Sequence, residues 1–213
     1  MENRSTTANE EVKDAKEKSR TDKLTGLLNR HGMDEDTERV IALNKRRGSK
    51  AKMSIVNLDM IDLNVFNNTL GHEAGDHALV QLADAINARK RVTDIAGRTG
   101  GDEFEVILPD TDEQQALVLS EGLKEELNQR NVNASIGVAE IDYSTPEMLR
   151  ESKHLADLAM YKAKASFKQT GVNEIVASTS LTEEDIMKTD ELKKLAEART
   201  AKRLEPVSLE NVA

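Results

Sequence analysis

The stretch DIAGRTGGDEFEVIL (Asp94–Leu108) decides the fold. Two short runs, Asp94–Arg98 and Glu103–Leu108, read as strands on either side of Gly100-Gly101, the composition of a tight hairpin turn. In the second run Phe104, Val106 and Leu108 point one way while Glu103 and Glu105 point the other. A hairpin imposes antiparallel pairing, so the sheet that holds it is not of the all-parallel kind.

Working outward, KMSIVNLD (Lys52–Asp59) is a strand that closes on an acid. Gly75–Arg89 is a helix with Leu79, Leu82, Ala83 and Ile86 at i, i+3, i+4 and i+7. Asp34–Arg46 is another, with Val40, Ile41 and Leu43 on its apolar side and Gly48 after its end. Asp112–Gln129 is a helix and Ala134–Ile141 a strand. Thr145-Pro146 supplies an N-cap and first-turn pair for a helix to about Lys168, and Asn173–Ala177 is a last strand. The expected class is α+β: a mixed, largely antiparallel sheet with helices packed on it.

The ends differ from this middle. Residues 1–20 are polar, with a helix expected over about Asn9–Ser19, and cannot bury enough surface to fold alone. Residues 178–213 carry a capping signature, Ser180-x-x-Glu183, before a charged helix that Pro206 ends. The expected organisation is an N-terminal linker over 1–20, a folded domain over 21–177 and a charged tail over 178–213.

The chain of 213 residues has 30 Lys and Arg against 39 Asp and Glu, a net charge of −9. Without a basic run, that balance argues against a binder of nucleic acid polymers or anionic membranes. The five aromatics, two Tyr and three Phe, are too few for a stacking platform. The absence of cysteine removes disulfides, thiol nucleophiles and Cys-zinc sites. No apolar run reaches 18 residues and the first residues lack a signal-peptide core, so a soluble, cytoplasmic protein without a membrane segment is expected.

Three places carry chemistry. Asp59 ends a buried strand. Gly100-Gly101-Asp102-Glu103 joins two glycines, which permit close approach of a ligand, to two carboxylates. If those strands are neighbours, Asp59 and Asp102 lie side by side, and hard oxygen donors without His or Cys select Mg²⁺, with Mn²⁺ as an alternative, over zinc. Such carboxylates can bridge two ions about 3.5–4 Å apart, which activates a hydroxyl and steadies a leaving pyrophosphate. The third place is the polar turn Asn67–Asp76, where Asn67 and Asp76 can present an amide and a carboxylate to the Watson–Crick edge of guanine.

The chain resembles the GGDEF domain of bacterial diguanylate cyclases, which condense two GTP into cyclic di-GMP and two pyrophosphates. The resemblance lies in Asp22-x-Leu24-Thr25-Gly26-Leu27-x-Asn29-Arg30, Asp59, Asn67 through Asp76 and Arg91-x-x-Asp94. It continues through Gly100-Gly101-Asp102-Glu103-Phe104, Ser135-Ile136-Gly137-Val138-Ala139 and Ala156-Asp157-x-Ala159-Met160-Tyr161-x-Ala163-Lys164. It implies a nucleotide cyclase palm domain in which Asp59, Asp102 and the Met60 carbonyl bind Mg²⁺. By the same resemblance Asn67, His72 and Asp76 contact substrate, Asn67 and Asp76 as guanine readers. Glu103 is an active-site acid, and Lys164 and Lys168 hold phosphates. Arg91 and Asp94 form an inhibitory site for the product. Catalysis takes two domains facing each other as half-sites, hence a homodimer, at least transiently.

The chain also departs from the family pattern. Ile61 replaces the second acid of Asp-x-Asp, with Asp62 one residue late and expected to point elsewhere. Leu63-Asn64 replaces Phe-Lys, and Asn68 stands where an Asp is usual. Phe167-Lys168-Gln169 follows Lys164 in place of Gly-Arg-Asn, and Lys168 lacks the arginine fork. Each lost charged contact costs about 1.5–3 kcal/mol. An active cyclase with lowered turnover is the leading expectation. The alternatives are a regulatory module that binds GTP or cyclic di-GMP, and an enzyme making a different dinucleotide, against which Asp76 argues.

Overall fold

The computed structural model describes residues 20–46, 48 and 51–188. The helix expected over Asn9–Ser19 and most of the C-terminal helix lie outside the described residues.

The elements are β1 (Leu28–Asn29), α1 (Arg30–Arg46), β2 (Met53–Met60), α2 (Leu63–Leu70), α3 (His72–Arg89) and β3 (Ile95–Arg98). They continue with β4 (Glu103–Pro109), α4 (Glu113–Gln129), β5 (Ala134–Glu140), α5 (Pro146–Thr170) and β6 (Ile175–Ala177). The strands form a single six-stranded sheet in the order β1-β3-β4-β2-β5-β6. The central pairings, β3–β4, β4–β2 and β2–β5, are antiparallel, and the edge pairings β1–β3 and β5–β6 are parallel. This is the mixed, largely antiparallel α+β sheet expected.

Both faces of the sheet are covered. Phe104, Val106 and Leu108 pack with Val56, Leu58, Ile136 and Val138 against the apolar stripes of α3 and α4, including Leu79, Leu82, Ala83 and Ile86. Met53, Ile55, Ile107 and Ala139 pack on the other face against Met33 and Ile41 of α1 and Ala156 of α5. The acidic side of β4 is therefore not a solvent face. Glu103 and Glu105 share it with the fully buried Ile107.

Several boundaries differ from the sequence reading for local reasons. Helix α1 starts at Arg30, four residues early, because the Asn29 side-chain carbonyl accepts the Gly32 amide at 3.0 Å and caps it. Its buried residues are Met33, Thr37 and Ile41, while Leu43 is exposed. The polar turn before α3 contains a helix of its own, α2, and Gly71 at φ 89° separates the two. The Gly100-Gly101 connection is not a two-residue hairpin turn. It spans Thr99–Asp102, is closed by the Thr99 amide donating to the Glu103 carbonyl at 2.9 Å, and neither glycine has positive φ.

The N-cap of α5 is the expected one, and α4 has a cap that its sequence span alone left unassigned. Asp112 forms a capping box with Gln115, and Thr145 accepts the Met148 amide ahead of Pro146. At the C-terminal end, residues up to Ser180 belong to one compact unit and those from Leu181 to another. There the helix described over 183–188 is capped by Thr182, which accepts the Asp185 amide at 3.2 Å, and not by Ser180.

Gly137 sets how closely α5 approaches the sheet. A Cβ on it would run into the Ala156 carbonyl oxygen and the Met160 amide nitrogen, both backbone atoms of α5. Backbone cannot rotate aside, so Gly137→Ala is expected to destabilise the fold by about 1–3 kcal/mol. A lowered urea midpoint with unchanged slope is the readout.

Candidate functional site

The two central strands end in a cluster of acids. Asp59, the penultimate residue of β2, lies opposite Glu103 in the antiparallel register with β4. The next amide, that of Met60, donates to the carbonyl of Asp102 at 2.9 Å. Pairing thus brings Asp59, Asp102 and Glu103 to one edge. Asp59 is 6% exposed, Asp102 is half-buried and Glu103 is exposed.

Helix α5 supplies the counter-charge: Lys164 Nζ is 2.6 Å from Asp59 Oδ1. Burial is the strongest influence on the Asp59 carboxyl and pushes it above the usual carboxylate range. The Lys164 ammonium opposes this, and the charges of Asp102 and Glu103 add to the upward push. Burial wins, so an ionised Asp59 demands a cation.

The donor set fits a hard divalent ion: two carboxylates, Asp59 and Asp102, with the neighbouring Met60 carbonyl, and a lysine ammonium already standing in for positive charge. Among the described residues no three His, Cys, Asp or Glu groups are gathered closely enough to hold a metal by themselves. Further oxygens from a ligand would have to complete the coordination.

Two arginines hold the loop that carries Asp102. Arg98 donates to the Gly101 carbonyl through Nε at 3.1 Å and through a terminal nitrogen at 2.7 Å, and its other terminal nitrogen lies 3.4 Å from Asp22. Arg30, at the start of α1, donates to the Thr99 carbonyl at 2.6 Å. Asp22 is itself built into a turn, accepting the Thr25 amide at 2.9 Å and the Thr25 hydroxyl at 2.7 Å. The Asp22–Arg30 segment is thereby tied to the acidic loop across some 70 residues of sequence. The sequence reading gave neither arginine a role, because nothing local marks a guanidinium that reaches a distant backbone carbonyl.

The candidate base readers gather at the start of α3. Gly75 has no Cβ, which leaves room for the Asn67 side-chain oxygen against α3, next to Asp76 in sequence. Asp76 and His72 are exposed. Lys168 is exposed in the last turn of α5, one turn beyond Lys164. Ile61 is buried, and Asp62 is exposed with its backbone in the left-handed region at φ 62°. Leu63 is half-buried and Asn64 exposed. A Gly-x-Asn triplet does occur beyond Lys164, later than 167–169. Gly171 ends α5 at φ 70°, and the buried Asn173 donates to the side-chain oxygens of Asn128 and Asn133.

Arg91 and Asp94 form a turn rather than a surface ion pair. The Arg91 amide donates to Asp94 Oδ2 at 2.6 Å, and Asp94 Oδ1 is buried without a hydrogen-bond partner. A cleft of about 410 Å³ is lined by Asp94 together with Arg39, Asn87 and Lys90. A second cleft, of about 480 Å³, runs from Glu103 along the α1 and α5 side of the sheet past Arg30, Asn57, Glu105 and Lys153. The sequence reading did not foresee it. The alternation that puts Asn57 on the same side of β2 as Asp59 was the available signal.

This sheet, with paired acids at the end of its central strands and a glycine-bearing loop between β3 and β4, defines a nucleotide-cyclase-like domain. The family described as "Diguanylate cyclase, GGDEF domain" matches residues 19–170, and the chain belongs to it. Diguanylate cyclase DgcP of Escherichia coli (strain K12) is 29% identical over 161 residues, covering 71% of this chain and 46% of that protein. Diguanylate cyclase DgcS of Shewanella oneidensis is 34% identical over 151 residues, covering 68% of this chain and 49% of that protein. The chain thus spans about half the length of these curated relatives. Among solved structures, the GGDEF domain of DgcB from Caulobacter crescentus in complex with c-di-GMP superposes with a TM-score of 0.66 at 26% identity. That match covers 76% of this chain and 96% of the other.

Asp22 gives the loop tether a pH signature. Burial, the largest single influence, pushes its carboxyl up, but the Thr25 hydroxyl and amide and the Arg98 guanidinium together outweigh it and hold it below its ordinary value. A depressed folded-state value means that Asp22 stabilises the fold above the unfolded carboxyl's titration, and that this contribution disappears as pH falls through the folded one. Asp22→Asn is therefore expected to be less stable than wild type at pH 7, with the gap closing below about pH 4. Urea midpoints of the pair across that range are the check.

Proposed function

We propose that this chain is a Mg²⁺-dependent diguanylate cyclase, with residues 21–177 as the enzymatic domain between a linker over 1–20 and a charged tail over 178–213. The observation that supports it most is the juxtaposition of Asp59 with Asp102 and Glu103 at the end of β2 and β4, beside the Lys164 ammonium. When bound, Mg²⁺ supplies the charge that neutralises a triphosphate and lowers the cost of deprotonating the attacking hydroxyl. Asp59, Asp102 and the Met60 carbonyl would hold it.

Asn67 and Asp76 read the guanine edge, Asp76 by accepting from N1–H and N2–H, which adenine lacks. His72 adds a polar contact at the same helix start. Lys164 and Lys168 bind the terminal phosphates, and Gly100 and Gly101 let the ligand approach the loop backbone. Each domain binds one GTP, and two domains of a homodimer face each other as half-sites. The 3′-oxygen of one GTP attacks the α-phosphorus of the other, its proton passes to Glu103, and pyrophosphate leaves. GTP in the cytoplasm is the substrate pool that this reading requires. Among the described residues no helix is long and apolar enough to cross a membrane.

Product inhibition at Arg91 and Asp94 completes the proposal. Asp94 Oδ1, buried and without a partner, is an acceptor that a guanine N–H of cyclic di-GMP would satisfy. The exposed Arg91 guanidinium is free of the Asp94 carboxylate, which binds the Arg91 amide instead.

A second reading has its own support. Ile61 puts a buried hydrocarbon where the family has its second acid, and Asn64 puts a neutral side chain where it has a lysine. A domain so altered could retain cyclic di-GMP binding at Arg91 and Asp94 as a regulatory module without turnover.

Purified protein incubated with GTP and Mg²⁺ is expected to form cyclic di-GMP at a specific activity that rises with protein concentration, as the half-sites meet. Asp102→Asn is expected to lower it by about 100-fold or more. Absence of product at every concentration, together with saturable cyclic di-GMP binding in calorimetry, would decide for the regulatory module.

For the inhibitory site, Arg91→Ala is expected to raise the cyclic di-GMP concentration needed for half-inhibition by about tenfold, since a charged contact is lost. Initial rates without added product should be unchanged. Equal inhibition of variant and wild type would remove that assignment.

A further inference from the structure

We propose that Lys164 is the resting counter-ion of Asp59 and is displaced onto the triphosphate when a divalent cation enters, so that metal and nucleotide bind as a cooperating pair. The inference rests on the cyclase reading and adds to it an exchange between two cations at one carboxylate.

Three observations carry it. The ammonium is already bonded to Asp59 at 2.6 Å, and that carboxylate is nearly inaccessible at 6% exposure. Asp102 and Glu103 lie on the adjoining strand end; Glu103 has a long, exposed contact of 3.9 Å with Arg30, whereas the cation bonded to Asp59 itself is Lys164. Finally, among the described residues no three His, Cys, Asp or Glu groups are gathered closely enough to hold a metal by themselves, so an incoming ion would depend on Asp59, already engaged by Lys164, and on Asp102.

A buried carboxylate stripped of its cation is strongly disfavoured, so the lysine cannot leave before a replacement arrives. A metal ion without nucleotide must evict a well-placed ammonium and gains few ligands in return. A metal ion arriving with a triphosphate brings oxygens to complete its coordination and offers the evicted ammonium new anionic partners. Lys164 is suited to the move. Its head is carried on a flexible four-carbon stem, and its side chain is 30% exposed at the edge of the site. By linkage, whatever nucleotide does for metal affinity, metal does equally for nucleotide affinity.

The exchange has a consequence opposite in sign to a plain phosphate-binding role. A lysine that only holds phosphates leaves metal binding untouched when it is removed in the absence of nucleotide. A lysine that occupies the metal's place makes metal binding tighter when it is removed.

The test is Mn²⁺ binding, read from the electron paramagnetic resonance of the free ion, for the full chain at pH 8. Titrations are run with and without a GTP analogue carrying a methylene in place of the α–β bridging oxygen. Wild type is expected to bind Mn²⁺ about tenfold tighter with the analogue than without it. Lys164→Met is expected to bind Mn²⁺ alone about tenfold tighter than wild type, and to lose most of the enhancement by the analogue. Lys164→Arg, which keeps a cation at Asp59, should behave like wild type in the metal-alone titration.

Mn²⁺ affinity of folded Lys164→Met equal to or weaker than wild type overturns the exchange and leaves the cyclase reading standing, provided that wild type binds metal with the analogue. Should Lys164→Met fail to fold by circular dichroism, the wild-type titrations decide, and equal affinities with and without the analogue overturn the exchange. A wild type that binds neither Mn²⁺ nor the analogue brings down both readings together.

Discussion

A carboxylate buried at the end of the central strand is the constraint around which the molecule is arranged. Asp59 is nearly inaccessible on β2, between β4 on one side and β5 on the other. A lone charge in that position is intolerable, so some element must deliver a cation to it. Helix α5 does so with Lys164, and it can because Gly137 in β5 lets the backbone of α5 come down almost onto the sheet. A side chain at 137 would lift α5 and with it the lysine. A packing glycine and an ion pair are thus two ends of one lever, since α5 is a continuous helix between the residues that meet Gly137 and Lys164.

The acidic loop between β3 and β4 obeys a second constraint. A connection built on two adjacent glycines has little intrinsic reason to hold one shape. The carbonyls on either side of its centre are fixed from outside instead, Thr99 by Arg30 and Gly101 by Arg98. Both clamps trace back to the segment just before α1. Arg98 also reaches Asp22, and the Asn29 amide, which donates to the Arg20 carbonyl, sets where Arg30 begins its helix. The order of the loop is therefore borrowed from the first described turns of the chain, which in turn are pinned by Arg20 on Glu35 and Asp36.

Much of the sheet was legible in the sequence because its strands are short apolar runs bounded by turn residues, and because the helices of α3, α4 and α5 announce themselves by spacing and caps. The paired acids were legible for the same reason: two strand ends, each closing on a carboxylate. What local pattern hides is anything decided across the fold. Helix α2 is hidden because Gly71, Asn67 and Asn68 read as loop composition, while a short helix and a long one can meet across such residues when the glycine adopts φ 89°. The second buried face of the sheet is obscured by Glu103 and Glu105, whose charge masks Ile107 after them on the same side and hides the partnership of Glu105 with Lys153. Arg30 and Arg98 left no signature, since a backbone carbonyl as partner imposes no pattern on its own residue type.

The departures of this chain from its family bear on how the site would balance charge. In the family pattern a lysine follows the first acidic strand; here the position is Asn64, exposed and neutral. The cations at this end of α5 include Lys164, already engaged by Asp59, and Lys168, exposed one turn away. A triphosphate arriving here would meet a surface whose nearest ammonium is spoken for by a carboxylate. Replacing the second acid with Ile61 moves the balance the other way, by removing one negative charge that a metal ion would otherwise neutralise. The two substitutions together leave fewer fixed charges of both signs at this end of the sheet, so the ion pair of Asp59 with Lys164 carries a larger share of its charge balance.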